Sequence, residues 1–434
     1  MARSGATAHV DPVTGSLVYP LGSTVDAEGH VTVGGCDLVD VAREFGTPAY
    51  VYAPDDVRAR ARSYLTALAA RGIDSEVLYA SKAAPITALY KVIREEGLSV
   101  DVASGGELHM ALAAGFDPER IYMHGNNKSA AELKMAFEAG IGCIVVDSLE
   151  EISRADWLAD RDQEVLVRLT PGVSPSTHSY VQTGQIDSKF GFAIEGGQAD
   201  QAIAAIAASR HLKLAGFHAH LGSQIYELDS YVRAIELMAE FCRPHSPRIM
   251  NVGGGLGIAY SRSDRPPSIE AYVDLKVDAL ERCFDPLPKI LLEPGRSLVG
   301  NAGVTVYTVG AVKEIPGVRT YVAVDGGMSD NLRPMLYGSE YEALIANRAD
   351  EEASALSTVA GKHCESGDIL VRDVMLADPR PGDLLVTPAT GAYGYAMANN
   401  YNGVPRPPVV FCGDGQATLA VRRETYGDLV SRDV

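Results

Sequence analysis

The chain has 434 residues, 46% of them hydrophobic, and its 56 acidic against 38 basic side chains give a formal charge of -18. That length exceeds one ordinary core and predicts two domains, while the ordinary apolar content excludes a disordered or fibrous chain. The strong negative charge excludes a nucleic-acid backbone as partner, because such binding draws on clustered Lys and Arg.

The start, "MARSGATAHVDPVTG", has no apolar core followed by a cleavage site, and nowhere do about 18 apolar residues run unbroken. The expectation is a soluble, cytoplasmic protein with no membrane partner. The six cysteines, Cys36, Cys143, Cys242, Cys283, Cys364 and Cys412, include no CxxC pair, which fits reduced thiols better than a disulfide framework or structural zinc.

In chain order, residues 1–47 carry short β-rich runs, "SLVYP" and "HVTVGG". From residue 48 to 305, apolar runs alternate with helical patterns. The runs are "EVLYAS" (76–81), "SVDVAS" (99–104), "IYMHG" (121–125), "CIVVDS" (143–148), "EVLVRL" (164–169), "LAGFHAH" (214–220), "RIMNVG" (248–253) and "KILLEPG" (289–295). Between them, segments such as "PITALYKVIREEG", "GELHMALAAGF", "AAELKMAFEAG" and "YVRAIELMAEFC" repeat apolar residues at helical spacing and often close on Gly. Eight near-continuous apolar strands, each followed by a helix, predict a parallel (β/α)8 barrel of the TIM type, with a doubly wound open sheet as the alternative. Over 306–434 the texture changes to "VTVYTVGAVKEI", "TYVAVDGG", "DILVRDVML" and "DLLVTPAT", strands separated by turn residues. These predict a mostly antiparallel β domain, a sandwich or barrel, which residues 1–47 join.

In such a barrel, chemistry sits at the carboxyl ends of the strands. Lys82 follows the first strand without a polar turn, so its stem should start in the barrel mouth, where a partly desolvated amine can form a Schiff base; a solvated loop lysine is the plainer alternative. "HAH" places His218 and His220 on one side of the sixth strand, which admits a metal site but brings no supporting carboxylate or further His cluster. "GGGLG" after the seventh strand lacks the third Gly of the dinucleotide fingerprint, yet bare amides at that position can cradle a phosphate. At the end of the eighth, "EPGR" offers Glu293 and Arg296. They form either an internal ion pair or, if a pyridoxal ring binds here, a carboxylate that keeps the pyridine nitrogen protonated and a guanidinium that grips a carboxylate in two-point fashion.

Taken together and in order, "YASKA", "DSKFGF", "HAHLGSQ", "NVGGGLGI", "EPGRSLVGNAG", "DNLRPMLY", "CESGD" and "GAYGYAMANNYN" resemble the diaminopimelate decarboxylase family, pyridoxal-phosphate enzymes of the alanine racemase-like barrel group, over nearly the whole chain. The resemblance implies that Lys82 is the Schiff-base lysine and that His220 stacks on the cofactor ring. It further implies that Ser223, Gly255, Gly295, Arg296 and Tyr393 help hold the cofactor, with Glu293 at the ring nitrogen. The family reaches from one subunit into the barrel mouth of the other with a Cys-Glu pair, here Cys364 and Glu365, so a homodimer with shared sites and a general-acid thiol at Cys364 is expected. No metal is expected.

Arg296, Arg333, Tyr337, Glu365 and Tyr393 resemble the family's grip on the far end of the substrate. Two cations and an anion suit an amino-acid group there, which meso-diaminopimelate carries and ornithine lacks. The expected reaction is decarboxylation of meso-2,6-diaminopimelate to L-lysine. Alternatives are an ornithine-, lysine- or arginine-like or specialised-pathway decarboxylase on the same frame, and a noncatalytic regulator. A racemase of this fold typically carries Arg where Glu293 stands.

Overall fold

Each of the eight apolar runs forms a strand: Ser75–Ala80, Ser99–Val102, Ile121–Met123, Cys143–Val146, Gln163–Thr170, Leu212–His218, Ile249–Asn251 and Lys289–Leu292. They pair in parallel, in chain order, and the ring closes where Lys289–Leu292 pairs with Ser75–Ala80. Closure rules out the open-sheet alternative. The computed structural model describes residues 11–172 and 188–434; Asp187 of "DSKFGF" lies outside them.

The strands read as continuous apolar runs because both their faces are covered. One layer inside the barrel consists of Leu78, Tyr122, Cys143, Val145, Leu166, Ala215, Ile249 and Leu291. Fully burying each Leu, Val or Ile of this layer contributes about 1.5–3 kcal/mol. Helices begin soon after the strand ends, and four of them are capped by serines. Ser104, Ser129, Ser148 and Ser268 accept the backbone N–H of Glu107, Glu132, Glu151 and Ala271, an interaction worth about 1 kcal/mol each. In the sixth strand the register shifts between Leu214 and Gly216, where a Cβ on Gly216 would lie 1.8 Å from the Ile249 carbonyl oxygen. Only glycine lets the two strands approach this closely, and the shift sets where His218 emerges.

By contact, the chain forms two units. One holds Val57–Ile258 and Arg265–Leu298; the other holds the chain up to Asp56, Ala259–Asp264 and Val299–Val434. The long strand Gly303–Ile315 organises the second unit, pairing antiparallel with Arg319–Val324, Leu384–Thr387 and Ala49–Tyr52. Two pairings in its large sheet are parallel, Arg319–Val324 with Ala355–Ala360 and Ala49–Tyr52 with Val409–Gly413.

Two local expectations change. Residues 49–52 fall on the barrel side of the boundary read at 47/48, but "AYVY" is a fully buried strand between two strands of the β unit. "SLVYP" is not a strand; Val18 and Tyr19 pack into the core of the β unit from a turn-rich segment. Short apolar runs anchor a loop as readily as they form a strand, and periodicity does not separate the two. Among the described residues no helix is long and apolar enough to cross a membrane.

Candidate active site

The charged centre of the barrel unit is Glu293, the residue after the eighth strand, only 6% exposed. Its Oε2 lies 3.1 Å from His218 Nε2, its Oε1 lies 2.9 Å from His124 Nε2, and Asn251 Nδ2 donates to Oε1 at 2.7 Å. Burial alone would raise this carboxyl; His124 and His218 outweigh it and hold the group well below the usual carboxylate range. Glu293 is therefore an anion at neutral pH. His218 is itself pushed down to about 4 by burial, so it is a neutral imidazole there. Glu293, His124 and His218 bring three potential metal ligands within 4.8 Å of one another. His218 Nε2 and Asn251 Nδ2 hydrogen-bond different oxygens of the carboxylate, with His124 Nε2 close to Oε1.

The strand ends explain why these groups meet. His218 is the last residue of the sixth strand and Asn251 the last of the seventh, while His124 directly follows the third. Asp101, in the second strand, is buried too, and burial together with the Glu293 charge raises it well above the usual range. Arg168, in the fifth strand, sits 3.8 Å from Asp147 with its guanidinium 4.4 Å from the centre of the Phe190 ring.

The residues expected at the strand ends are placed as follows. Lys82 stands in a single 3-10 turn, Ser81–Ala83, directly after the first strand. Ser81 and Ala83 are buried but the Lys82 side chain is exposed, which corrects the expectation of a partly desolvated amine: the stem leaves a buried turn and the head reaches solvent. Its charge acts on both Asp101 and His220. His220 is half-buried and pushed well below the ordinary imidazole range, first by desolvation and then by the Lys82 and Arg168 cations. The "HAH" pair thus divides: His218 joins Glu293, and His220 answers to Lys82.

Arg296 donates to Ser223 Oγ from Nε at 3.2 Å and from a terminal nitrogen at 2.8 Å. This geometry gives Glu293 and Arg296 separate partners, unlike the internal ion pair that sequence alone allowed. The glycine loop packs against Glu293 and Gly222. A Cβ on Gly254 would lie 2.0 Å from the Glu293 carbonyl oxygen, and one on Gly255 would lie 2.5 Å from both Gly222 O and Tyr231 Oη. Gly255 also has φ +107°, so the site demands glycine twice over. A Cβ on Gly295 would meet the Ala80 methyl at 2.9 Å, beside the turn that carries Lys82.

The β unit carries a second group of candidates. Arg333 is buried, donates to Tyr260 Oη at 2.9 Å and to Tyr341 Oη, and lies 5.9 Å from the Tyr393 ring centre. Tyr393 adopts φ +63°, an unusual conformation for a bulky residue and a mark of a constrained site. Tyr337 ends the short helix Arg333–Tyr337 and is half-exposed. Cys364 and Glu365 are exposed. Their loop is pinned by His363, whose Nδ1 lies 2.9 Å from Asp368 Oδ2, and by the Cys364 N–H, which donates to Asn402 Oδ1 at 3.0 Å. Glu365 Oε2 accepts from Tyr401 Oη at 3.4 Å.

Residues 54–300 match the family described as "Pyridoxal-dependent decarboxylase, pyridoxal binding domain". The chain is 49% identical over 426 residues to a diaminopimelate decarboxylase of Bacillus subtilis, covering 95% of this chain and 97% of that one. It is 43% identical over 439 residues to the diaminopimelate decarboxylase of Mycobacterium tuberculosis, covering 96% and 98%. The crystal structure of diaminopimelate decarboxylase from M. jannaschii superposes with a TM-score of 0.89 at 31% identity, covering 95% of this chain and 97% of that chain.

Proposed function

This chain belongs to the pyridoxal-dependent decarboxylase family, and we propose that it converts meso-2,6-diaminopimelate to L-lysine and carbon dioxide with pyridoxal 5'-phosphate as cofactor. The observation that carries this reading is Glu293: a buried carboxylate kept anionic by His124, His218 and Asn251 at the end of a barrel strand. The residues fit the cofactor. Lys82 offers an amine directly after the first strand, the glycine loop offers backbone that tolerates no side chain, and Glu293 offers a fixed negative charge.

Bound there, pyridoxal phosphate supplies an electron sink for the pair left when the bond from the α carbon to the carboxylate breaks. Lys82 is assigned the covalent tether. Glu293 would hold a proton at the ring nitrogen, because an anion fixed by hydrogen bonds from His218 and Asn251 disfavours the neutral pyridine. His220, half-buried, is assigned to the face of the ring. Ser223, Gly255, Gly295 and Tyr393 are assigned to the phosphate. Arg296 supports both cofactor and substrate; since Ser223 Oγ accepts from Arg296, its own O–H remains available to donate.

Arg296, Arg333, Tyr337, Glu365 and Tyr393 are assigned to the distal amino-acid group of the substrate, and Cys364 to the proton delivered to the α carbon after carbon dioxide leaves. Cys364 and Glu365 are exposed, and so are Met335, Leu336, Leu356 and Met375 on the same unit. Exposed apolar side chains on the unit that carries Cys364 support a homodimer in which the Cys-Glu pair completes the partner's site. The cytoplasm is the compartment that suits an enzyme with an exposed free thiol.

Supplying the purified protein with meso-diaminopimelate should release L-lysine and carbon dioxide in equal amounts. Equal turnover of lysine or ornithine would leave the fold and cofactor in place but overturn the substrate. A regulator without activity is disfavoured by the retention of both Lys82 and Cys364.

A further inference from the structure

Lys276 is 0% exposed, on the buried face of helix Ile269–Cys283 with Tyr272, Val273, Val277 and Leu280. Its Nζ donates to the carbonyl oxygens of Val252 at 2.7 Å and Gly253 at 3.1 Å, and to Tyr272 Oη at 2.6 Å. The rings of Tyr231 and Tyr272 flank it, each with its centre 4.4 Å away. Tyr231 Oη donates in turn to the Gly254 carbonyl at 3.2 Å. Three successive carbonyls, of Val252, Gly253 and Gly254, thus accept from Lys276 or Tyr231, which the roles assigned above do not use; Gly253 O also accepts from Tyr272 Oη at 3.4 Å and from the Glu293 N–H at 3.2 Å.

A trans peptide points its N–H opposite to its C=O. Fixing the carbonyls of Val252, Gly253 and Gly254 therefore directs the N–H groups of Gly253, Gly254 and Gly255 to the far side of the loop. Gly253 N–H is taken by Asn251 Oδ1 at 3.0 Å, the same side chain that donates to Glu293. The amides of Gly254 and Gly255 then face away from Lys276. Burial pushes the Lys276 ammonium well below its usual range while the Glu293 charge opposes that, and any positive charge it retains polarises the loop peptides in the sense that favours an anion at their N–H ends.

We propose that Lys276, with Tyr231, is a positioning residue that sets the peptide planes of the Val252–Gly255 loop, so that its amides form the receptor for the cofactor's phosphate group. The proposal rests on the cofactor reading above, and it makes the loop's phosphate affinity depend on a side chain on the opposite side of the backbone from the phosphate.

The test compares two probes on the full-length chain after cofactor removal: pyridoxal phosphate, and pyridoxal, which lacks the phosphate. Binding is read by the visible absorbance of the bound aldehyde, with far-UV circular dichroism to check folding. Lys276→Met should weaken pyridoxal phosphate binding about tenfold or more, leave pyridoxal binding unchanged, and reduce competition by inorganic phosphate. Should Lys276→Met fail to fold, Tyr231→Phe, which removes the hydroxyl that donates to the Gly254 carbonyl, should show the same split with a loss of about threefold. Equal losses for both probes, or no loss for either, in the folded variants would overturn the proposal. Failure of the unaltered protein to bind pyridoxal phosphate would instead overturn the cofactor reading.

Discussion

The two groups of candidate residues differ in how complete they are within one chain. Around Glu293 the barrel gathers His124, His218 and Asn251, all buried, with each partner fixed by the end of a different strand. In the β unit Arg333 is equally buried in its tyrosine cage, whereas Cys364 and Glu365, on a loop pinned by His363 and Asp368, are exposed. That loop, held by these contacts, presents a thiol and a carboxylate to solvent. On the proposed reading, the contrast separates groups assigned to the cofactor, preorganised by the barrel, from groups assigned to substrate and proton transfer, which one chain leaves open.

The largest expected effect falls on the barrel side. Lys82→Ala should reduce turnover by about a thousandfold or more, and borohydride treatment of the unaltered protein followed by peptide mapping should place the pyridoxyl group on Lys82. Labelling of another lysine would break the assignment. Glu293→Gln keeps the shape but removes the anion, and should lower kcat on the order of a hundredfold while KM changes little. A kcat within a few-fold of normal would show that the buried carboxylate only fills space.

On the β side, Arg333→Ala should cost mainly selectivity. A two-point contact to a desolvated carboxylate contributes about 2–3 kcal/mol, so preference for diaminopimelate over lysine should fall by roughly a hundredfold in kcat/KM while the cofactor absorbance survives. The smallest effect concerns stability. Burial raises Asp330 to about 7 from an ordinary 3.8. An acid whose folded pKa is raised stabilises the fold only while protonated, so this contribution is fully present below about pH 4 and is lost as pH rises through 7. Asp330→Asn should flatten that part of the stability profile, measured as Tm against pH; an unchanged slope would mean that another group carries it.

The barrel was legible in the sequence because fully covered parallel strands leave unbroken apolar runs, and all eight runs became strands. Strand ends then pointed to Lys82, His220 and Glu293 by position. What was missed has two causes. His124, Asp101, Arg168 and Asn251 were passed over because a single polar residue at or near a strand end carries no pattern, and only barrel closure brings these four strands to one carboxylate. Tyr260 and Tyr341 escaped because nothing local marks a tyrosine as the neighbour of a distant arginine. Lys276 did leave a signal: in "AYVDLKVDAL" it occupies a position on the apolar helical stripe, where a lysine is out of place unless something buried needs it. Lys82 shows the converse, exposed between buried Ser81 and Ala83: a buried turn does not settle where a four-carbon side chain ends.

The central claim is that the barrel of one chain and the Cys364 loop of another make one site, and subunit exchange tests it most directly. Lys82→Ala and Cys364→Ala proteins, each inactive alone, are mixed in equal amounts under conditions that allow subunits to reassort. Random pairing makes half the dimers mixed, each with one intact site of two, so activity should recover to roughly a quarter of the unaltered protein. No recovery despite demonstrated exchange, or full activity of the unaltered protein in a demonstrably monomeric sample, would contradict the claim.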